Sequence, residues 1–118
     1  MFINPKLAVA EGWIQGIRDE NKQIQPNAID FTMDSLHLVN TEVAHLSESG
    51  KIMRSHDAVA PENGVWHMAH TRVYDGTSDM FVTLPDGVAA ILYTRSTLTR
   101  NGVFLMSGLY DSGFKGHI

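Results

Sequence analysis

The spacing of apolar residues differs between the start of the chain and the rest of it. In segment 4–18 the apolar side chains recur at the spacing of one helix face: Leu7, Ala10, Trp13, Ile14 and Ile17. Asn4 is suited to cap such a helix, and Pro5 fits its first turn, where a missing N–H costs nothing. We therefore expect a short helix over residues 4–18, weakened by Gly12 and Gly16.

Beyond the predicted helix the apolar residues recur with a period of two. Ile29, Phe31 and Met33 alternate with polar residues, as in a half-buried strand. The phase then shifts at Leu36, which indicates a β-bulge or bend. Turn residues are frequent in segment 47–64 and predict a loop or hairpin there.

The second half of the chain contains four more segments with the character of short strands. These segments are residues 65–74, 79–84, 87–93 and 102–110. The turn signals between them are Asp75-Gly76, Pro85-Asp86-Gly87 and Asn101-Gly102.

This order of elements predicts a mainly β fold, an all-β barrel or sandwich with a short N-terminal helix. The length predicts a single domain over residues 1–118. Within it, residues 1–23 form the helix and a linker, and residues 24–118 form the β core.

Charge and composition narrow the classes of function. Nine basic against thirteen acidic residues leave a net charge of −4, which argues against a nucleic-acid surface but allows a small anionic ligand. The chain has no cysteine, so disulfides and thiolate metal ligands are excluded. The N-terminus has no signal-peptide pattern, and the longest apolar run, residues 88–93, is too short to span a bilayer. We expect a cytoplasmic protein without nucleic-acid or membrane partners.

The six histidines do not form a recognisable set of metal ligands. His67 and His70 lie three residues apart, a spacing that aligns them on a helix but places them on opposite faces of the strand expected there. Ordinary surface or core histidines are the favoured interpretation.

A cluster of phosphate-binding residue types follows the apolar run 88–93. Arg95, Ser96, Thr97 and Arg100 come directly after it. Arginine binds phosphate through two charge-assisted hydrogen bonds, and a neighbouring hydroxyl adds a neutral one. From the residues alone, a polar strand end with two solvated arginines is an equally good interpretation.

Two aspartates stand at positions where a carboxylate could act on a ligand. Asp30 follows a Pro-Asn turn, and Asp111 lies in a glycine-rich segment that reads as a β-hairpin with Gly108, Gly113 and Gly116. An aspartate held in such a turn could orient and deprotonate water. Taken separately, a solvent-facing strand residue and an ordinary Asp-Ser-Gly turn remain the alternatives.

Three segments, "IQPNAIDF", "LPDGVAAILYTRSTLTRNG" and "GLYDSGFKGHI", occur in this order within residues 24–118. Together they resemble the motifs of the dUTPase / dCTP deaminase superfamily, and only residues 40–78 align poorly. The resemblance implies a trimeric dUTPase-like β-barrel or β-clip, Mg²⁺, and a pyrimidine deoxynucleoside triphosphate (dUTP or dCTP) as substrate.

The first two motifs carry the implied phosphate and metal contacts. By resemblance, Asp30 lies near the Mg²⁺–triphosphate and acts on the metal through water. Arg95 and Ser96 contact the phosphates, Thr97 replaces a second serine but keeps its hydroxyl, and Arg100 matches the second arginine of the deaminase motif.

The third motif carries the implied catalytic and base contacts. Asp111 matches the aspartate that activates the attacking water in dUTPases. Phe114 stands where an aromatic ring packs against the deoxyribose, and the backbone around Gly108 is expected to read the pyrimidine edge.

The chain ends after the third motif, so the fold is expected to be C-terminally incomplete, without the family's later strands and glycine-rich arm. The residues that are present favour Mg²⁺-dependent hydrolysis of dUTP to dUMP and pyrophosphate by a homotrimer. One alternative is a dCTP deaminase forming dUTP, if the chain continues beyond Ile118 with the glutamate that deaminases need. Another is a non-catalytic dUTPase-like binding or structural module.

Overall fold

The computed structural model describes all 118 residues, in three short helices and ten short strands. The helices are α1 (Pro5–Ala10), α2 (Glu20–Gln23) and α3 (Ser96–Arg100). The strands are β1 (Ile14–Gln15), β2 (Met33–Val39), β3 (His45–Ser47), β4 (Gly50–Ile52), β5 (His56–Ala58), β6 (Tyr74–Ser78), β7 (Phe81–Thr83), β8 (Ala90–Ile91), β9 (Leu109–Tyr110) and β10 (Lys115–His117). The predicted mainly β class is confirmed. None of the helices is long and apolar enough to cross a membrane.

The strands form four small antiparallel sheets and do not close into a barrel. Two sheets have three strands, in the orders β1-β7-β10 and β5-β2-β6, and two are the pairs β3-β4 and β8-β9. Two-stranded ladders are marginal by themselves.

The contacts within the chain define two compact units. Unit 1 comprises Met1–Asp30 and Met80–Ile118, and unit 2 comprises Phe31–Asp79. The single domain over residues 1–118 stays a prediction, and the predicted boundary after residue 23 falls inside unit 1.

The start of α1 agrees with the sequence pattern. The Asn4 side chain accepts a hydrogen bond from the backbone N–H of Lys6 at 3.0 Å, and Pro5 occupies the first turn. This cap satisfies a donor that has no partner inside the helix.

The end of α1 differs from the prediction, because the helix stops at Ala10 instead of residue 18. Gly12 adopts a positive φ of 74°, and its N–H donates to the carbonyl of Val9 at 3.0 Å. The next N–H, of Trp13, donates to the carbonyl of Ala8 at 2.9 Å. This pair of bonds is the Schellman arrangement, which satisfies the last carbonyls and turns the chain out of the helix.

The core of unit 1 lies along β7. Val82 is fully buried at the centre of the sheet β1-β7-β10, where it pairs with Ile14 on one side and Gly116 on the other. Met80 and Leu84, just outside the two ends of β7, are also buried. One short apolar strand therefore anchors the elements from both ends of the chain.

The core of unit 2 lies along β2. The register of β2 against β6 shifts between Met33 and Ser35, so the predicted bulge is confirmed. Leu36, just beyond the shift, is only 4% exposed. The prediction was wrong about the strand start, since Ile29 and Phe31 lie before the first residue of β2.

The turn predicted at Asp75-Gly76 was also wrong. Both residues lie inside β6, where Asp75 pairs with His37 and Gly76 with Leu36. Pairing with β2 outweighs the local turn preference of this dipeptide. The strand predicted over residues 65–74 reaches strand geometry only at its last residue.

The β3–β4 hairpin overlaps the segment 47–64, where the sequence predicts a loop or hairpin. Its first strand begins slightly earlier, at His45. Beyond it, Ser55 donates its backbone N–H at 2.8 Å and its hydroxyl at 2.7 Å to the carboxylate of Glu42. The backbone bond, followed by the hydroxyl bond, lowers the pKa of this exposed carboxyl group. The contribution of these bonds to stability is present above the ordinary carboxyl pKa and is lost as the pH falls through the lowered one.

Three predicted strands of unit 1 exist but are shorter than expected. β7, β8 and β9 lie within segments 79–84, 87–93 and 102–110. The turn predicted at Pro85-Asp86-Gly87 is confirmed. Asn101-Gly102 is also a turn, but it ends α3 instead of joining two strands, and Gly102 has a φ of 79°.

Leu36→Ala should destabilise unit 2 by about 2–5 kcal/mol, because it leaves a cavity in the β5-β2-β6 sheet. Leu46→Ala, on the exposed strand β3, is the matched control and should change stability by less than about 0.5 kcal/mol. Urea denaturation followed by circular dichroism measures both. Equal effects of the two substitutions would contradict the assignment of Leu36 to the core.

Candidate functional site

The first motif forms a closed loop that presents Asp30. Ile24 and Ile29 form an isolated antiparallel bridge, and the N–H of Gln25 donates to the carbonyl of Ala28 at 2.9 Å. Pro26 belongs to the exposed tip of this loop. The loop therefore returns the chain to the end of α2 directly before Asp30.

The carboxylate of Asp30 contacts the guanidinium of Arg95. The Nη1 atom of Arg95 lies 2.6 Å from Oδ2 of Asp30, and the Gln25 amide donates to the same oxygen at 3.3 Å. The Asp30 side chain is 19% exposed and that of Arg95 is 65% exposed. The structure thus brings together the aspartate of the first motif and the arginine of the second, and places a cation where an anion can reach it.

The second motif contains a short helix, α3, that the sequence analysis did not predict. Arg95 directly precedes α3, Ser96 and Thr97 form its first turn, and Arg100 is its last residue. All four residues are exposed. Ser96 and Arg100 lie four positions apart and hence on one face of the helix.

The third motif forms a tight turn at residues 111–114. The N–H of Phe114 donates to the carbonyl of Asp111 at 3.0 Å, and Gly113 takes the positive φ of 83° that the turn needs. Asp111 itself is exposed. The predicted β-hairpin was wrong, because β9 pairs with β8 whereas β10 pairs with β7. The turn therefore joins two different sheets.

Ser112 ties this turn to the one at residues 85–87. Its hydroxyl accepts the N–H of Gly87 at 2.7 Å and donates to the carbonyl of Pro85 at 3.2 Å. These two bonds hold the backbone next to Asp111.

Phe114 is half-buried, whereas Gly108 is exposed. The Phe114 ring is half-buried and packs edge-on against Tyr110, with ring centroids 5.0 Å apart. A Cβ added at Gly108 would meet no atom within 4 Å other than those of its two chain neighbours. Glycine at this position is therefore not required by the packing of a single chain.

The site residues predicted from the sequence fall into two groups. We call Asp30, Arg95, Ser96, Thr97 and Arg100 the arginine cluster, and residues 111–114 the aspartate turn. In the β8–β9 pair, Ala90 lies opposite Tyr110 and Ile91 opposite Leu109. Because the two strands are antiparallel, the segments that follow them leave at opposite ends of the ladder. The four cluster residues from Arg95 to Arg100 follow β8, and the aspartate turn follows β9.

Two residues of this region were missed by the sequence reasoning. Gln25 lies inside the first motif, but its bond to Asp30 depends on the closure of the loop. Gln23 bonds to the backbone of Asp30. Nothing in the sequence marks it, because a glutamine beside Lys22 is typical of an exposed helix end.

No group of three or more histidine or carboxylate side chains is placed to hold a metal ion. His67 and His70 lie in a loop and not in the expected strand. His67 lies 4.0 Å from the Glu62 carboxylate.

A family model described as dCTP deaminase-like matches residues 6–118. The chain belongs to this family. The match includes all three motifs and the poorly aligned segment 40–78, so the family membership predicted from the motifs is confirmed.

Three curated relatives illustrate what the chain is similar to. A probable deoxyuridine 5'-triphosphate nucleotidohydrolase of Methanococcoides burtonii is 27% identical over 117 residues, which cover 98% of this chain and 65% of the relative. A protein of the same description from Halobacterium salinarum is 31% identical over 99 residues, covering 80% and 59%. A dUMP-forming dCTP deaminase of Mycobacterium tuberculosis is 35% identical over 101 residues, covering 80% and 53%. The chain thus spans 53–65% of the length of these relatives. No solved structure gives a significant match.

The Asp30–Arg95 pair should show a coupling energy of about 0.2–1 kcal/mol in a double-mutant cycle, since Arg95 is largely exposed. Asp30→Asn, Arg95→Gln and the double variant are compared by urea denaturation. The coupling energy should fall in about 1 M NaCl, because salt at this concentration screens the attraction between exposed charges. The Lys22–Asp19 pair, more exposed and 3.3 Å apart, is the control and should couple less. Zero coupling at low salt would contradict the ion pair.

Proposed function

We propose that this chain belongs to an enzyme that hydrolyses dUTP to dUMP and pyrophosphate. The observation that carries the proposal is the contact between Asp30 and Arg95, which joins the first and second motifs at one point. An exposed guanidinium beside exposed hydroxyls suits a phosphate chain. The relatives add support, because their names refer to dUTP or dCTP, both pyrimidine deoxynucleoside triphosphates.

The arginine cluster would bind the triphosphate. Arg95 contacts phosphate oxygens through its guanidinium, and Ser96 places its hydroxyl near a bridging oxygen. Thr97 offers a second hydroxyl, and Arg100 adds a second positive charge on the Ser96 side of α3. These groups stabilise the negative charge that moves to the leaving pyrophosphate.

The aspartate turn would supply the base. The carboxylate of Asp111 accepts a proton from a water molecule whose oxygen forms a bond to the α-phosphorus. The bond between this phosphorus and the α,β-bridging oxygen breaks, and pyrophosphate leaves with the electron pair. Phe114 would pack against the deoxyribose, and the open space beside Gly108 would admit the pyrimidine to the backbone.

The residues present fit a Mg²⁺ ion that arrives with the nucleotide. Oδ2 of Asp30 is engaged by Arg95 and Gln25, which leaves Oδ1 for a metal-bound water. A single carboxylate together with substrate phosphates is a usual environment of Mg²⁺ in proteins. When bound, the ion would neutralise part of the negative charge of the phosphates.

The complete site would form between copies of the chain. Within one copy the guanidinium of Arg95 contacts Asp30, and no hydrogen bond or ion pair joins it to Asp111. Large exposed apolar residues lie in the same part of unit 1: Ile91, Tyr93, Leu98, Phe104, Leu105, Met106 and Leu109. Burying such a surface favours association. We propose a homotrimer in which Asp111 of one subunit faces Arg95 of the next.

Deamination of dCTP is the second candidate. The mycobacterial relative is named a dUMP-forming dCTP deaminase, and conversion of dCTP to dUMP requires loss of both the amino group and two phosphates. The phosphate-cleaving step is therefore shared by dUTP hydrolysis and the dUMP-forming reaction, whereas a dCTP deaminase that forms dUTP would cleave no phosphate bond.

Asp111→Asn should lower turnover of dUTP by about 10²–10⁴-fold, because it removes the proton acceptor. The KM should change much less, since the phosphates bind elsewhere. Pyrophosphate release with Mg²⁺ measures turnover, and Asp86→Asn, in the turn at residues 85–87, is the matched control.

Ammonia release from dCTP would favour deamination. The absence of both turnover and nucleotide-dependent thermal stabilisation would favour a non-catalytic module.

Mixed oligomers test the shared site. Arg95→Ala and Asp111→Asn homo-oligomers should each be inactive, and exchange of their subunits should restore part of the turnover. Some neighbouring subunits then combine an intact Arg95 with an intact Asp111. Mixing Arg95→Ala with Ser96→Ala is the control and should restore nothing, because both lesions lie in the same cluster. Failure of exchanged oligomers to recover would contradict a site between subunits.

A further inference from the structure

Gln23 is a buried amide next to the arginine cluster. It is the last residue of α2 and keeps only 7% of its surface exposed. A buried amide is costly unless its hydrogen-bonding groups are satisfied, so the partners of Gln23 indicate what it holds in place.

All four hydrogen-bonding positions of the Gln23 amide are used. Oε1 accepts the backbone N–H of Arg18 at 2.7 Å and that of Asp19 at 3.0 Å. Nε2 donates to the carbonyl of Asp30 at 3.1 Å and to the sulfur of Met80 at 3.5 Å. Donors surround the oxygen and acceptors surround the nitrogen, which defines the orientation of the amide.

Gln23 forms hydrogen bonds with both the backbone N–H and the backbone carbonyl of Asp30. The N–H of Asp30 donates to the backbone carbonyl of Gln23 at 2.8 Å, and its carbonyl accepts from the Gln23 side chain. The position of the Asp30 carboxylate, and hence its 2.6 Å contact with Arg95, follows from this double attachment.

We propose that Gln23 is a positioning residue of the arginine cluster, acting through Asp30 on the orientation of Arg95 toward phosphate. The proposal rests on the proposed function for its role in phosphate binding. The chain carries a matched comparison, since Gln15 on β1 is exposed and makes none of these bonds.

Gln23→Glu is the informative substitution. It keeps the length of the side chain and the acceptor for Arg18 and Asp19, but it replaces the donor to Asp30 with a second oxygen. Gln23→Met keeps a similar shape and removes all four bonds. Loss of a buried hydrogen-bond partner changes an equilibrium constant by about tenfold or more.

Binding of inorganic pyrophosphate with Mg²⁺, measured by calorimetry, is the first test. Gln23→Glu should weaken binding by about tenfold, and Gln15→Glu should leave it unchanged. In an Asp30→Asn background, the effect of Gln23→Glu should vanish, because Gln23 acts through Asp30. An equal loss in both backgrounds would overturn the proposal and show a general structural effect.

The second test needs no ligand and separates this inference from the proposed function. The side-chain ¹⁵N–¹H signals of Arg95 report its ion pair, and Asp30→Asn defines their position without it. Gln23→Glu and Gln23→Met should shift these signals toward the Asp30→Asn position, with protected β7 amides confirming that unit 1 is folded. Wild-type Arg95 signals in both variants would overturn the proposal. If pyrophosphate does not bind the wild-type chain, the proposed function fails, and the Arg95 signals alone decide the role of Gln23.

Discussion

The reciprocal hydrogen bonds between Gln23 and Asp30 are the constraint on which the rest of the candidate site depends. The backbone of each residue is bonded to the other, and the buried Gln23 amide adds bonds to the chain before α2 and to the residue before β7. Such a fully satisfied buried amide is an effective way to hold a loop in one position. The Asp30 carboxylate is thereby presented to Arg95, more than sixty residues later in the chain.

The antiparallel pairing of β8 and β9 determines where the chain continues toward Arg95 and toward Asp111. The segment that carries Arg95 follows β8 and the segment that carries Asp111 follows β9, and no hydrogen bond or ion pair joins these two side chains within one copy. The membership in the dCTP deaminase-like family accounts for the presence of both segments. The site proposed above would bring the two segments together between subunits, and exposed apolar residues lie in the same region.

Several parts of the fold could be predicted because their causes are local. The Asn4 cap and the turn at Pro85-Asp86-Gly87 follow from short-range sequence preferences. Other elements could not be predicted, because partners far away in the chain decide them. Asp75-Gly76 becomes part of a strand through its pairing with β2.

The sequence by itself determined the mainly β class, the family, and the identity of the charged and hydroxyl residues that carry the candidate chemistry. These properties reside in residue types and in their order along the chain. Only the tertiary structure decided which of these residues meet. The Asp30–Arg95 contact, the buried role of Gln23 and the passage of the aspartate turn between two sheets all depend on long-range pairing. Hydrogen bonds and ion pairs act over a few ångströms in space, and spacing along the chain does not reveal which residues come within that distance.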